Sequence, residues 1–184
     1  QQAFDAYNEL QKHPPQSKDF QLLALLHAGQ AASQLEQWDA GLQLLAKARD
    51  TFPDSARKPD ILYEIAWAKQ NKKQLDEALA LYEEVSGMTQ REVGARARLM
   101  MGEIKFEKGE HKQAIVDFFK VFKGYKGAPE SYNRWKAQAM YEAARCFEVL
   151  ENVKFARKYY QQLLTDYPDN QLAALAKQRL AELK

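Results

Sequence analysis

The stretch Ala156-Arg-Lys-Tyr-Tyr160-Gln-Gln-Leu163 contains a spacing that recurs along the chain: a small residue, a bulky residue four positions later, and an apolar or small residue three positions after that. The pattern occurs at Ala3-Tyr7-Leu10, Gly41-Leu45-Ala48, Ala78-Tyr82-Val85, Ala114-Phe118-Val121 and Ala156-Tyr160-Leu163. Its small residues are separated by 38, 37, 36 and 42 positions, which are intervals typical of repeated helix pairs. The sequence therefore predicts a stack of paired helices.

Apolar residues follow helical spacing between short polar breaks, and the sequence has no sustained alternation of the kind that predicts a strand. We therefore predict an all-α fold, with antiparallel hairpins wherever a break is only a few residues long. Pro53 and Pro168 each follow a second helix, because the fixed φ and missing N–H of proline prevent the helix from continuing. The predicted helices span 2–12, 19–35, 38–51, 58–71, 75–87, 90–108, 111–123, 131–150, 153–166 and 171–183.

The repeats predict a single array with a half repeat, about four complete pairs and a C-terminal capping helix. The half repeat spans 1–15, the pairs span 19–53, 58–87, 90–123 and 131–168, and the cap spans 171–184. Tyr7 and Pro15 fit the second helix of a pair whose first helix is missing, so we predict that the chain is a fragment of a longer protein. The connection at 124–131 is unusually long, and we interpret it as a surface loop or as a hinge or lip whose Tyr125 and Tyr132 contact a ligand.

The composition argues against several classes of partner. The 184 residues include 27 Lys+Arg and 25 Asp+Glu, and a net charge of only +2 gives no bulk attraction to nucleic acid or to an anionic membrane. The longest apolar run, Leu22 to Leu26, is far shorter than the ~20 residues that a membrane-spanning helix needs. We therefore predict no nucleic-acid partner and no direct membrane insertion.

Catalytic and metal-binding patterns are also missing from the sequence. The single cysteine, Cys146, excludes an intramolecular disulfide and is predicted to be a buried, inert thiol. His13, His27 and His111 lie in different segments without a second ligand at helical spacing, so no metal site is predicted. Since no phosphate-binding glycine loop is present either, we predict a protein without a cofactor or enzymatic activity.

These patterns resemble the tetratricopeptide-repeat family, whose helix pairs of about 34 residues alternate small and bulky residues at fixed positions. Two of the pairs carry most of those residues. They read Leu25, Ala28, Gly29, Ala32, Gly41, Leu45, Ala48 and Pro53, and Met140, Ala143, Ala144, Phe147, Ala156, Tyr160, Leu163 and Pro168. The two middle pairs depart from the family pattern, with Lys69 and Lys105 at the aromatic position and Gln90 and Lys126 at the terminal proline.

The run from Tyr167 to Leu180 is also similar to the closing repeats of bacterial cell-envelope tetratricopeptide proteins, such as the periplasmic partner of the Tol-Pal system. This narrower resemblance favours a bacterial protein of the periplasm or cell envelope over a cytoplasmic one.

The family resemblance implies a right-handed superhelical array in which the first helix of each pair lines a concave groove. Carried over to this sequence, the groove positions give the candidate binding residues Tyr63, Trp67, Gln70, Arg96, Glu103, Phe106, Tyr141 and Arg145. Aromatic and arginine side chains dominate binding hot spots, although an aromatic at helical spacing is more often a packing residue than a binding one. Co-chaperone relatives grip a C-terminal carboxylate with Lys and Asn, whereas the equivalent positions here are Leu26, Gln30, Tyr63 and Trp67.

The sequence as a whole predicts a non-enzymatic scaffold that binds a peptide or protein segment in its concave groove. One alternative is a structural role, in which the array forms a homo-oligomer through an exposed N-terminal end that includes Phe4 and Tyr7. Another alternative is a regulatory array attached to a catalytic domain outside this sequence.

Overall fold

The fold is that of a computed structural model, which describes residues 17–125 and 128–183. The helices within those ranges are α1 (Lys18–Gln34), α2 (Trp38–Thr51), α3 (Lys58–Asn71), α4 (Leu75–Met88), α5 (Glu92–Glu107), α6 (His111–Gly124), α7 (Asn133–Val149), α8 (Val153–Asp166) and α9 (Leu172–Glu182), with a 3₁₀ turn at Glu130–Tyr132. The predicted all-α class is confirmed, and the predicted helix bounds in these ranges agree within two residues. The predicted half repeat at 1–15, with Phe4, Tyr7 and His13, lies outside the described residues.

Consecutive helices pack as pairs, and the chain divides into two compact units after Thr89. The first unit contains α1 to α4, in which α1 packs on α2 and α3 on α4. The second unit contains α5 to α9, in which α5 packs on α6, α7 on α8, and the last helix α9 against α8 and α7. The first helices of these pairs, here called the inner helices, are α1 and α3 in the first unit and α5 and α7 in the second.

The recurring small and bulky residues form the contacts within the helix pairs. Tyr82, Phe118 and Tyr160 are fully buried, as is Leu45 at the same repeat position. A Cβ atom on Gly102 would lie 2.4 Å from Cε1 of Phe118, so the two helices approach closely only because this residue has no side chain. The repeated sequence pattern is therefore a pattern of packing contacts between paired helices.

The hairpin turns share one backbone conformation. Glu36, Lys73, Gly109 and Glu151 each have a positive φ, between 56° and 77°, just after the last turn of an inner helix. The next amide then donates to a carbonyl five residues earlier, as Glu110 N does to Lys105 O at 2.8 Å. This is the hydrogen-bond pattern of a helix that ends with a left-handed residue, and it sets the angle at which each second helix returns.

The charged residues at the aromatic position of the middle pairs have partners within their own pair. Lys105 Nζ lies 2.5 Å from Oδ2 of Asp117, a side chain that is only 3% exposed. Lys69 Nζ lies 2.7 Å from Oε2 of Glu77. Each ion pair joins an inner helix to its second helix, whereas the α7–α8 pair has Phe147 at this position, stacked on Tyr159 of α8.

The long connection places its two tyrosines against each other. Tyr125 is 6% exposed, and its ring centroid lies 6.0 Å from that of Tyr132. Tyr132 N donates to Pro129 O at 2.9 Å and closes the 3₁₀ turn that leads into α7.

The structure also describes the surroundings of the cysteine, of possible metal ligands and of the most apolar helices. Cys146 is fully buried, as predicted, and burial raises the pKa of its thiol to about 12. Over residues 17–125 and 128–183, no group of three His, Cys, Asp or Glu side chains could hold a metal ion. In the same part of the chain, the helices lack the combination of length and apolar character that crossing a bilayer requires.

Candidate functional site

The inner helices of the second unit bring together a cluster of polar and aromatic side chains that we call the inner cluster. It consists of Glu103 and Phe106 from α5 and of Gln138, Glu142 and Arg145 from α7. Gln138 Nε2 donates to Glu103 Oε1 at 3.0 Å and so joins the two helices. Arg145 Nη1 donates to Glu142 Oε2 at 2.7 Å, and the guanidinium carbon lies 4.8 Å from the centroid of the Phe106 ring. Arg145 thus contacts both helices.

Arg145 is also the accessible member of the inner cluster. Its side chain is 43% exposed, whereas that of its partner Glu142 is 14% exposed. A guanidinium has five N–H donors, so a group held by one carboxylate bond and one ring face can donate further hydrogen bonds to a ligand.

The carboxyl groups of the inner cluster outnumber its cation. Burial and, to a smaller extent, the charge of Glu142 raise the pKa of Glu103 to about 7, against the opposing effects of the Gln138 hydrogen bond and the Arg145 charge. Burial also raises the pKa of Glu142, and its ion pair with Arg145 opposes that rise. Glu103 thus shares its hydrogen bond with a neutral amide, while the nearby arginine is bonded to the other carboxylate.

A neighbouring carboxylate, that of Glu148, is bonded directly to an arginine. Arg179 donates to both carboxylate oxygens of Glu148, and the Tyr160 hydroxyl donates to the same group. Burial raises the pKa of Glu148, but the hydrogen bonds from Arg179 and Tyr160 more than offset it and hold the pKa below its ordinary value. The ring of Tyr141, which is partly exposed, lies 5.4 Å from that of Tyr160. Tyr141 directly precedes Glu142 of the inner cluster on α7, and burial raises the pKa of its hydroxyl, which the charges of Arg145 and Glu142 both affect as well.

Arg96, near the start of α5, contacts an aromatic residue that the sequence did not single out. Its guanidinium carbon lies 5.2 Å from the centroid of Trp135, whose Nε1 donates to Glu92 Oε1 at 2.6 Å. Arg134 covers the same ring at 4.2 Å and bonds the same carboxylate at 2.9 Å. Arg96 and Trp135 are separated in the sequence by about one repeat. This spacing brings residues on successive inner helices together, and it is the signal by which the sequence could have indicated the contact.

The three candidate residues of the first unit lie on α3. Trp67 packs edge to face against Trp38, with ring centroids 5.4 Å apart, and remains partly exposed. Gln70 Oε1 accepts a hydrogen bond from the Tyr82 hydroxyl at 2.9 Å. Tyr63 is only 4% exposed and its ring lies 5.4 Å from that of Tyr82. Tyr63 is therefore a core residue between α3 and α4.

One contact recurs in both units and was not anticipated. Gln30 Nε2 of α1 donates to Glu64 Oε1 of α3 at 3.0 Å, which matches the Gln138 to Glu103 bond between α7 and α5. In each unit an amide thus holds a glutamate of the neighbouring inner helix. The separations of 34 and 35 residues in these two bonds are the signal that sequence inspection could have used.

Comparisons with known proteins agree with this architecture. The family model of the tetratricopeptide repeat matches residues 23–55, 60–86 and 138–170. No curated protein sequence matches the chain.

Several solved structures have the same fold at low sequence identity. The nearly identical TPR-like repeats of a putative kinesin light chain from Podosopora anserina are 16% identical, with 89% of this chain and 82% of that chain covered and a TM-score of 0.67. YrrB, a TPR protein with an unusual peptide-binding site, is 19% identical, with 96% and 90% covered and a TM-score of 0.65. PlcR of Bacillus thuringiensis, crystallised with the peptide PapR7 and DNA, is 13% identical, with 89% and 63% covered and a TM-score of 0.71. At these identities the likeness is one of fold.

Proposed function

Because the chain belongs to the tetratricopeptide-repeat family, we propose that it is a non-enzymatic interaction module that binds a peptide or protein segment along its inner helices. Helical repeats of this kind are typical of protein interaction scaffolds, since stacked pairs present extended surfaces to a partner. The peptide ligands of YrrB and PlcR support a peptide as the class of ligand.

The observation that carries the proposal is the inner cluster of the second unit. Arg145 is held over Phe106 yet remains exposed, and Tyr141 provides a second aromatic side chain on the same helix. Rings and guanidinium groups that are already fixed in place lose little conformational freedom when a ligand binds, so they give favourable contact energy.

The uncompensated carboxyl of Glu103 indicates what such a segment should carry. When Glu103 and Glu142 are both ionised, the cluster has one more negative charge than Arg145 neutralises. A lysine or arginine of the segment would supply the missing charge, while apolar side chains would cover the rings of Phe106 and Tyr141. We therefore expect the segment to combine a basic residue with apolar neighbours.

The other candidate residues have different parts in this proposal. Trp67 and Gln70 provide a contact surface in the first unit, and Tyr63 supports it from the core. Arg96 extends the contact surface of the second unit through its stacking on Trp135.

Selection of a random-peptide display library on the full chain tests the proposal. We expect enriched peptides that contain a basic residue beside apolar ones, and we expect Arg145→Ala or Phe106→Ala to weaken their binding at least tenfold, equivalent to about 1.4 kcal/mol, in fluorescence anisotropy. Arg157→Ala is the control, because it removes an exposed arginine from α8, which is not an inner helix; it should leave the affinity within about twofold.

Circular dichroism of each variant separates lost binding from lost folding. If the enriched peptides bind the folded Arg145→Ala and Phe106→Ala variants as they bind the unaltered chain, the inner cluster is not the binding site.

A further inference from the structure

The second helices of the two pairs in the second unit enclose a groove on the other side from the inner cluster. We call it the outer groove; its walls are α6 and α8, and side chains of α7 form its floor. Phe119 of α6 and Tyr159 of α8 meet with ring centroids 5.0 Å apart. Phe147 of α7 lies beneath them, stacked on Tyr159 at 5.6 Å and 8°. Aromatic rings therefore line the middle of the groove.

Both ends of the outer groove open into depressions. One, of about 510 Å³, lies at the N-terminal ends of the walls and is lined by Lys112, Ile115, Phe147, Leu150 and Asn152. The other, of about 570 Å³, lies at their C-terminal ends and is lined by Phe122, Lys123, Met140, Gln162, Asp166 and Tyr167. The two depressions and the rings between them follow the length of both walls.

Apolar side chains on the walls are exposed well beyond what internal packing needs. Val116 on α6 is 52% exposed and Phe155 on α8 is 39% exposed, although Phe155 stacks on Phe147 at 5.2 Å. Leu150, which lines the depression at the N-terminal ends of the walls, is 36% exposed. A contiguous apolar strip of this kind on a folded unit indicates a docking surface.

The charges along the outer groove are mostly positive. Lys123 Nζ lies 4.5 Å from the centroid of Phe119, and Lys158 Nζ lies 5.9 Å from that of Phe155, so both ammonium groups flank the rings. Lys112 adds a third cation at the N-terminal depression, and Asp166 is the acidic residue among those that line the two depressions. An occupant with acidic residues beside an apolar strip would match this pattern.

We propose that the outer groove between α6 and α8 binds an acidic amphipathic helix of a partner protein. The apolar face of that helix would cover the rings of Phe119, Phe147 and Phe155, and its glutamate or aspartate residues would meet Lys112, Lys123 and Lys158. This site is separate from the inner cluster and does not depend on the function proposed for it.

A helix fits the outer groove better than an extended strand. The backbone groups of α6 and α8 are already bonded within their own helices, so the walls offer no strand edge to pair with. A strand lying on apolar rings would leave its amides without partners, whereas a helix satisfies its own. Each wall has 14 residues, about 21 Å, which matches roughly four turns of a bound helix.

Three synthetic peptides of about 15 residues test the proposal on the full chain. The first has a leucine stripe at helical spacing flanked by glutamates, the second has the same stripe flanked by lysines, and the third is a scrambled form of the first. We expect the acidic amphipathic peptide to bind and to gain helical circular dichroism. The lysine peptide and the scrambled peptide should bind at least tenfold more weakly in fluorescence anisotropy.

Charge-reversal variants locate the binding site. The double variant Lys112→Glu with Lys158→Glu should weaken binding of the acidic peptide at least tenfold. A matched double variant, Lys47→Glu with Lys177→Glu, changes two exposed lysines on α2 and α9 and should leave the affinity within about twofold. Phe155→Asp alters the exposed ring without burying a charge and should also abolish binding.

Results of three kinds would overturn the proposal. The first is equal binding of the acidic and scrambled peptides, or equal binding by the groove and control double variants. The second is loss of acidic-peptide binding in Arg145→Ala, which would place the peptide on the inner helices instead. The third is self-association of the chain in sedimentation that Phe155→Asp removes, which would make a second copy the occupant of the groove.

Discussion

The pKa of the Glu103 carboxyl differs between the folded and the unfolded chain. Its pKa is raised to about 7 by burial and by the charge of Glu142, whereas in the unfolded chain it returns to the ordinary range of a glutamate. A carboxyl with a raised pKa binds its proton more tightly in the folded state. Folding is therefore favoured most at low pH, and this contribution is lost as the pH rises through about 7.

Replacing Glu103 with Gln should remove this pH dependence. The amide imitates the protonated carboxyl and can still bond Gln138. We expect the unfolding free energy of the variant to match that of the unaltered chain near pH 4.5, and to exceed it by on the order of 2 to 3 kcal/mol at pH 8. Urea unfolding across this pH range measures the difference.

Glu107→Gln provides the comparison, since Glu107 lies on the same helix and is exposed. If both variants show the same pH profile, the surplus charge of the inner cluster has no effect on stability.

The hairpin turn is the element that repeats most regularly. Glu36, Lys73, Gly109 and Glu151 all adopt the left-handed conformation, but glycine alone adopts it without steric cost. Sequence inspection recognises these turns from polar residues and helix lengths, which is why the helix bounds could be predicted within two residues. The conformation of Lys73 or Glu151 is imposed by the two packed helices, so no local signal reveals it.

Substitution of Gly109 by Ala should lower the unfolding free energy by about 1 kcal/mol. No atom lies within 4 Å of the added Cβ, so the cost arises from the positive φ of 77° and not from a clash. Gly87→Ala is the matched control, because Gly87 also has open space around it but lies in α4 without a positive φ. Gly87→Ala should be neutral or slightly stabilising in urea unfolding, and equal losses in the two variants would contradict the argument.

On the scale of the whole molecule, the chain consists of two compact units whose stability comes from neighbouring pairs. In such arrays a local defect weakens its own pair and the adjacent ones more than distant ones. The second unit contains most of the ring contacts in the described part of the chain. A packing defect placed there should therefore accelerate amide hydrogen exchange more in the second unit than in the first.

Gly102→Ala is such a defect, since its Cβ would lie 2.4 Å from the fully buried ring of Phe118. We expect a loss of about 1 to 3 kcal/mol and faster amide hydrogen exchange in α5 to α8 than in α1 to α3. Mass spectrometry of deuterium uptake measures both regions in one experiment. Uniform acceleration through all the helices would show that the chain unfolds as one cooperative body.

How much could be predicted from sequence depended on whether the signal was local. The paired helices follow from small and bulky residues at fixed spacing, and their all-α arrangement was predicted in full. The accessibility of individual side chains could not be predicted. Tyr63 and Trp67 occupy similar repeat positions, and only the packing of Tyr63 against Tyr82 and of Trp67 against Trp38 makes the first buried and the second partly exposed. The ion pair of Lys105 with Asp117 was missed for the same reason.

The buried thiol of Cys146 has a practical consequence. A thiol that is fully buried and has a pKa of about 12 does not react with maleimides near neutral pH while the chain is folded. A cysteine introduced at an exposed position will therefore be labelled alone, with the native residue left in place. Val116→Cys would place a fluorophore on the wall of the outer groove, where its emission reports directly on whether the groove is occupied.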